Sequence, residues 1–482
     1  MLSSKVYLAF DAKMAQHMPI AVDNSVGVDP YKSTESDAGD QDDHFEIPHR
    51  INAIYHRLLE LEAEIGNQRF IEIPCFEAER ETIELVHSAE HYDFVARTEK
   101  MSDMELQSVA IPNDLYFCRD TFMAAKLAVG GVVGCVNAVT SEFNRRSNRA
   151  IAIVRPPGHH ATHDEAMGFC YFNNVAVAAK HATTTGRAKR VFILDWDIHH
   201  GNGIQDLTYD DPDIFYLSIH RASFSKNTRD WFYPGTGKPS EIGKGDGAGT
   251  NLNIVFGKGG MGDEEYAAAF SNLVLPIVYN FKPELIIIAC GFDAAQGDLI
   301  GDCGLTPEMY YSMTRSLLEA QPKTPIVVAL EGGYNIQLSA QCMEMVALAL
   351  LDEPPEAKDR KNCIAWSSKS IMPQRAPFLT KESNKLRSLS RFWDQSEDKV
   401  SIDATRSNKI AVKSIKRSAA ALERKGGTCL CGCHYLCHHS GCLPIKKRKP
   451  CADFDVSSSG AASDSFADDD DSSMEGTAVS NS

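Results

Sequence analysis

From position 150 to 334, short apolar runs rich in β-branched residues alternate with longer segments whose apolar residues recur at helical spacing. The runs at 150–154, 191–194, 214–219, 285–289 and 326–330 predict buried strands, and the segments 173–183, 263–280 and 306–320 predict helices. That alternation implies a central, mostly parallel sheet with helices on both faces. Upstream, Ile51, Ile54, Tyr55, Leu58 and Leu59 share one face of a helix starting near Pro48, and a second helix is predicted over 121–140. A last core helix, 337–351, stops before Pro354 and Pro355. Residues 23–45 are polar and acid-rich and read as a loop. Beyond about 355 the periodicity fades, apart from a helix-like stretch at 410–422, and the last 25 residues are mostly Ser, Asp, Ala and Gly. The chain therefore divides into one large α/β domain over 1–355, a partly helical linker over 356–425 and a largely disordered tail over 426–482.

Charge sharpens these divisions. The 482 residues carry a formal charge of −16, but residues 1–357 hold 28 basic and 50 acidic side chains, net −22, whereas 358–425 are net +10 and 426–482 net −4. An acidic body makes direct nucleic-acid binding unexpected and suits cationic ligands such as lysine-rich peptides. With 43% hydrophobic residues the chain can build a large core. Lys5, Asp11 and Lys13 interrupt the first 20 residues, so no signal peptide is expected, and no stretch is expected to match a membrane helix of ~18 apolar residues. Eight of the fourteen cysteines are scattered singly through the first 363 residues, which reads as a reduced, intracellular body.

In an open parallel sheet, ligands bind beyond the carboxyl ends of the strands. Four predicted strand ends here are rich in chemistry. They carry Arg155-Pro156-Pro157-Gly158-His159-His160, then Asp195-Trp196-Asp197-Ile198-His199-His200-Gly201-Asn202, then Gly291-Phe292-Asp293, then Glu331-Gly332-Gly333-Tyr334. Asp197 and His199 stand two apart, so in extended chain both reach the same side, and Asp293 would join them from another strand. Two carboxylates and an imidazole suit a divalent ion such as zinc and leave a position open for water and substrate. A lone Asp-x-His is ordinarily a surface turn; three neighbouring strand ends with matching chemistry reverse that reading.

Together with Gly168-Phe169-Cys170-Tyr171-Phe172-Asn173 and the Ala294 and Asn335 that follow two of them, these motifs resemble, in order and spacing, the zinc-dependent histone deacetylases of the arginase-deacetylase fold. The resemblance covers roughly residues 5–352, and Asp195-Trp196-Asp197, Asn202 and Gly291-Phe292-Asp293 are similar to class II members rather than class I. It implies that Asp197, His199 and Asp293 ligate zinc, and that Tyr334 donates a hydrogen bond to the oxyanion of a tetrahedral intermediate. His160 would be general base and then acid, oriented by Asn202, while His159, paired with Asp195, acts mainly through its charge. A potassium-like ion would lie on Asp195, Asp197, His199, Ser218 and Ile219. Phe169 and Tyr233 would line the tunnel, the Gly168 carbonyl would accept from the substrate amide, Asp114 would bind substrate backbone at the rim, and Arg50 would line an exit for acetate. His44, His87, His91, His163 and His220 read as structural or exposed rather than as ligands.

The implied activity is hydrolysis of N-acetyl-lysine on proteins such as histone tails, with a co-repressor or chromatin complex as partner, in nucleus or cytoplasm and away from membranes. Acetylpolyamine hydrolysis is a rival; relatives of that kind carry an acidic gatekeeper, and in Gly297-Asp298-Leu299-Ile300-Gly301 the place where that glutamate would sit is the apolar Ile300. A weakly active scaffold that binds acetyl-lysine is a second rival, disfavoured by Tyr334, and an arginase-type ureohydrolase would need second-metal ligands that are not evident. In the tail, Cys429, Cys431, Cys433, His434, Cys437, His438, His439 and Cys442 offer soft ligands for a zinc at spacings tighter than usual, Lys446–Lys449 forms a cluster of nuclear-import type, and Asp468–Asp471 an acidic run.

Overall fold

A computed structural model describes residues 4–19, 44–66, 68–110, 115–142, 146–224 and 231–355. Asp114, the linker, the Cys/His-rich stretch and the acidic tail lie outside the described residues. The described chain builds one sheet of eight strands: β1 (Val6–Ala9), β2 (Phe70–Ile73), β3 (Arg149–Ala152), β4 (Val191–Asp195), β5 (Ile214–Arg221), β6 (Asn251–Phe256), β7 (Leu285–Cys290) and β8 (Ile326–Leu330). Their order is β2-β1-β3-β8-β7-β4-β5-β6, and every pairing is parallel.

The order explains where the chemistry gathers. Strands β3, β8, β7 and β4 are four successive neighbours at the centre of the sheet, and they are the four whose ends carry the motifs. Strands β4, β7 and β8 are buried along their whole length, as a parallel sheet covered on both faces requires. Helices Asn174–Thr184, Pro307–Ala320 and Ile336–Leu350 fall where the apolar spacing predicts them, and the first begins under an Asn173 side chain that accepts from the Ala176 N–H. The helix near Pro48 runs from His49 to Ile65. The predicted 263–280 helix is interrupted at Phe270–Val274 by a π turn just before Pro276, which has no N–H to return to the preceding turn.

Three strands escape the hydropathy pattern. β1 is four residues long, and β2 lies at the sheet edge with an exposed Glu72. β6 carries buried Asn251 and Asn253, whose amide N–H groups both donate to Gln205 Oε1, at 3.0 and 2.7 Å; these polar side chains break the apolar run.

The expectation that no segment matches a membrane helix fails on composition. Thr121–Thr140 spans 20 residues with a mean hydropathy of 1.7 in its most apolar window, yet 72% of that window is buried within the protein. Its apolarity serves packing: Gly130, Gly131 and Gly134 bring the helix close against the strand exit at 74–76. A Cβ on Gly130 would fall 1.7 Å from the Phe76 carbonyl oxygen. Alanine is the better helix former by ~1 kcal/mol, but a clash this close forces a backbone shift that costs more. Gly130→Ala is therefore expected to lower stability by about 1–2 kcal/mol, read from the midpoint of urea unfolding; an unchanged or raised midpoint would refute the packing argument.

Candidate active site

Beyond β4 the chain folds back on its own carboxylates. The Asp197 N–H donates to Asp195 Oδ1 at 3.2 Å and the His199 N–H to Asp197 Oδ1 at 2.9 Å, each aspartate accepting from the residue two places on. Asp293, after β7, accepts from the Ile198 N–H through Oδ1 at 2.9 Å, and its Oδ2 lies 2.9 Å from His199 Nδ1. Asp197 Oδ1 lies 3.1 Å from the same nitrogen, and its Oδ2 accepts from the Gly332 N–H at 2.9 Å. Gly332 must be glycine for this approach, because a Cβ there would stand 2.4 Å from Asp293 Oδ2 and 2.6 Å from Asp197 Oδ2.

One atom each from Asp197, His199 and Asp293 lies within 4.8 Å of the others, and all three residues are buried. Their electrostatics call for a cation. Burial and the neighbouring charge of Asp197 push Asp293 up to about 7. Burial opposes charge on His199, but its hydrogen bonds to the two aspartates and their charges outweigh it and hold its pKa at about 9. A divalent ion would displace that proton and relieve both carboxylates, so the residues fit zinc. A second trio, His159, Cys170 and Glu331, is as compact, but burial raises the Cys170 thiol well above its usual range and Glu331 Oε2 is engaged by the Gly158 and His159 N–H groups. A protonated thiol is a poor ligand.

The two histidines after β3 face opposite surroundings, with ring centroids 4.0 Å apart. His159 Nδ1 lies 3.3 Å from Asp195 Oδ2, an oxygen that also accepts from the Tyr216 hydroxyl at 2.9 Å. Burial lowers the pKa of His159, yet Asp197 and Asp195 together lift it to about 10. His160 Nδ1 is 2.7 Å from Asn202 Oδ1, while the Asn202 amide donates to the His160 carbonyl at 3.3 Å, so Nδ1 carries the proton and Nε2 the lone pair. Burial, then the charges of His159 and His199, hold His160 well below its usual pKa. The carboxylate beside His159 favours its charged form, whereas nothing comparable offsets the burial of His160.

Aromatic rings surround this pair. Tyr233 meets His160 edge-on at 5.0 Å, Phe232 stacks on His199 at 4.9 Å, and Phe169 stands 5.9 Å from Tyr334. Gly168 (φ 53°) is wedged between them, since a Cβ there would lie 2.6 Å from the His160 ring and 2.7 Å from the Tyr233 hydroxyl. Tyr334 is 7% exposed, with the Arg50 guanidinium 5.1 Å from its ring centre. Arg50 also donates to the carbonyls of Gly333 (2.6 Å) and Glu331 (2.5 Å). Ser218 is fully buried, pairs in register with Asp195, and shares a hydrogen bond with His220 at 2.8 Å; Ile219 is buried beside it. His87, His91 and His220 are buried and hydrogen-bonded to backbone atoms, and His163 bonds the Val86 carbonyl, so these four are structural as expected. His44 instead packs against Phe169 at 4.6 Å, at the edge of the site.

Sequence reasoning missed the support beneath the site. Glu46 is fully buried between Arg155, which contacts both its oxygens (2.9 and 2.7 Å), and Arg50 at 2.9 Å, with the Tyr116 hydroxyl at 3.0 Å. Burial alone would raise Glu46, but Arg155 and Arg50 depress it far below the carboxylate range. The i,i+4 spacing of Glu46 and Arg50 was a usable signal.

Comparison with known proteins bears on this arrangement. Residues 44–350 match the histone deacetylase domain family. The chain is 40% identical over 367 residues to histone deacetylase HDA1 of Saccharomyces cerevisiae, covering 73% of this chain and 49% of that protein. It is 38% identical over 310 residues to the human polyamine deacetylase HDAC10, covering 64% of this chain and 45% of the relative. The crystal structure of the HDA15 HD domain superposes with a TM-score of 0.62 at 33% identity, covering 76% of this chain and 99% of that one. The chain thus spans about half the length of the curated relatives it matches.

The close approach of Gly332 yields a test that removes no ligand. Gly332→Ala is expected to push the two carboxylates apart and weaken zinc binding at this site by ~10–100-fold, as loss of a ligand's supporting contacts does. Competition with a zinc chelator reads the affinity; wild-type affinity in the variant would show that the carboxylates do not hold the ion.

Proposed function

The chain belongs to the histone deacetylase family, and from that premise we propose that it hydrolyses N-acetyl-lysine side chains on proteins to lysine and acetate. Asp197, His199 and Asp293 would hold zinc, which when bound supplies a Lewis acid for the acetyl carbonyl and lowers the pKa of water. His160, neutral with its Nδ1–H tied to Asn202, takes the proton of the attacking water at Nε2 and then delivers it to the departing lysine amine. His159 stays charged beside Asp195 and stabilises negative charge as it develops. The Tyr334 phenol donates to the oxyanion of the tetrahedral intermediate. Phe169 and Tyr233 confine the lysine stem, and the Gly168 carbonyl receives the substrate amide. Asp195, Asp197, His199, Ser218 and Ile219 would seat a potassium-like ion behind the site, and Asp114 would contact substrate backbone.

The observation that carries this reading is the contrast between the partners of the two adjoining imidazoles, the Asp195 carboxylate 3.3 Å from His159 and the Asn202 amide oxygen 2.7 Å from His160, beside a trio fit for a divalent ion. Acetylated histones are the substrates for which several of its relatives are named, and the net −22 body attracts basic flanking residues. A chromatin or co-repressor complex, in nucleus or cytoplasm, is the setting that follows. Likeness to polyamine deacetylases favours a second reading, acetylpolyamine hydrolysis. Against it stands Ile300, which puts an apolar side chain where an acidic gatekeeper would hold a polycation.

Two outcomes are expected. Tyr334→Phe, which removes only the hydroxyl, lowers kcat on an acetyl-lysine peptide by ~10²–10³-fold; retained turnover would remove the oxyanion role. The wild type hydrolyses acetyl-lysine peptides faster than acetylspermidine, and Ile300→Glu narrows that ratio through the added negative charge. A wild-type preference for the polyamine would reverse the choice of substrate.

A further inference from the structure

Asp298 lies five residues beyond Asp293 and has no part in the assignments above. Its carboxylate accepts on two sides. Oδ1 receives the N–H groups of Ile300 (2.9 Å) and Gly301 (3.2 Å), and Oδ2 receives those of Tyr334 (2.7 Å) and Asn335 (3.3 Å). The first pair is the turn an aspartate makes with its own chain, and one oxygen suffices for it. The second pair reaches 36 and 37 positions along the sequence, to the backbone that bears the phenol.

What the second pair does follows from the peptide bond it touches. The Gly333–Tyr334 peptide presents its carbonyl oxygen to Arg50 Nε at 2.6 Å and its N–H to Asp298 Oδ2 at 2.7 Å. A cation holds one end of the unit and an anion the other, so its plane cannot swing without breaking a charge-assisted bond. Such a clamp matters here because Gly333 sits at φ 115°, a conformation with no side chain to stiffen it. Asn335 extends the seam, donating to the Gly297 carbonyl at 3.0 Å and capping the helix Ile336–Leu350 through the Leu338 N–H at 3.1 Å. A backbone rotation of roughly 10° carries a phenol oxygen about 1 Å, a displacement that can cost ~10²-fold in rate.

We propose that Asp298 is a positioning residue for Tyr334, clamping the Gly333–Tyr334 peptide against Arg50 so that the phenol meets the substrate carbonyl. The inference rests on the role given to Tyr334 above. The same carboxylate also fixes the backbone of Ile300.

The test is a double-mutant cycle on the full chain, with an acetyl-lysine peptide as substrate. Asp298→Asn keeps the shape but can accept on one side only, so kcat is expected to fall ~10–100-fold while KM changes less than about twofold. In a Tyr334→Phe background the same substitution should cost less than about twofold, because the group it positions is already gone. A merely structural aspartate would cost the same in both backgrounds, and that result overturns the proposal, as does an undiminished kcat in the single variant. If Tyr334→Phe alone retains full kcat, the role of Tyr334 fails first and the proposal falls with it, a failure distinguishable from the other two. Asp298→Ser, which keeps one acceptor in a smaller side chain, serves with the same expectations where Asp298→Asn does not fold.

Discussion

Four carboxylates, those of Asp195, Asp197, Asp293 and Glu331, are fully buried at the ends of three neighbouring central strands, and their mutual repulsion sets the terms for everything around them. Two unit charges about 5 Å apart repel by ~3 kcal/mol at an effective dielectric near 20. The protein answers in two ways. Backbone N–H groups of Gly158, His159, Asp197, Ile198, His199 and Gly332 donate to the four side chains. Two imidazoles, His159 and His199, are drawn toward the charged state. The remaining deficit is what makes the centre receptive to a divalent ion.

Backbone donors can neutralise buried charge only where nothing stands between them and it. The carboxylates themselves also need room, and glycines supply it. Gly291 and Gly332 admit the carboxylates of Asp197 and Asp293, and Gly201 admits Asp195, at distances a Cβ would occupy. Loops stripped of side chains are free to rotate, so their rigidity must come from outside. Arg50 supplies it at Glu331 and Gly333, Asp298 supplies it at Tyr334, and Glu46 keeps Arg50 and Arg155 compatible with burial. Removing one partner from such a buried ionic cluster typically costs 3–5 kcal/mol, more than the cluster itself contributes. It acts chiefly as a frame that holds shape.

How much of this the sequence disclosed depended on whether the relevant signal was local. His159, His160, Asp197, His199, Asp293 and Tyr334 stand at the ends of strands with strong apolar patterns, so their convergence was legible from the strand-end rule for parallel sheets alone. The opposed partners Asp195 and Asn202 were expected only through the resemblance of their motif to the family, and the structure places them at the two rings. Strands β1, β2 and β6 were not legible: one is too short, one is at the edge, and one carries buried asparagines. The apolar helix Thr121–Thr140 shows the converse error, since hydropathy registers that a face will be buried and not by what. Contacts that join remote segments, Glu46 to Arg155 and Asp298 to Tyr334, leave no periodicity to read.

The position of β1 has a consequence for how the domain can be cut. The histone deacetylase domain match spans residues 44–350, yet β1, at Val6–Ala9, is an inner strand that pairs with β2 on one side and β3 on the other. A fragment trimmed to the matched region would leave β2 with no neighbour and expose the backbone edge of β3. At the other end it would discard Asp352 and Glu353, the carboxylates that receive Arg149, Arg315 and Arg69. The matched family domain is thus shorter than the stretch that folds, and an expression fragment cut to that domain alone would carry an open, aggregation-prone sheet edge.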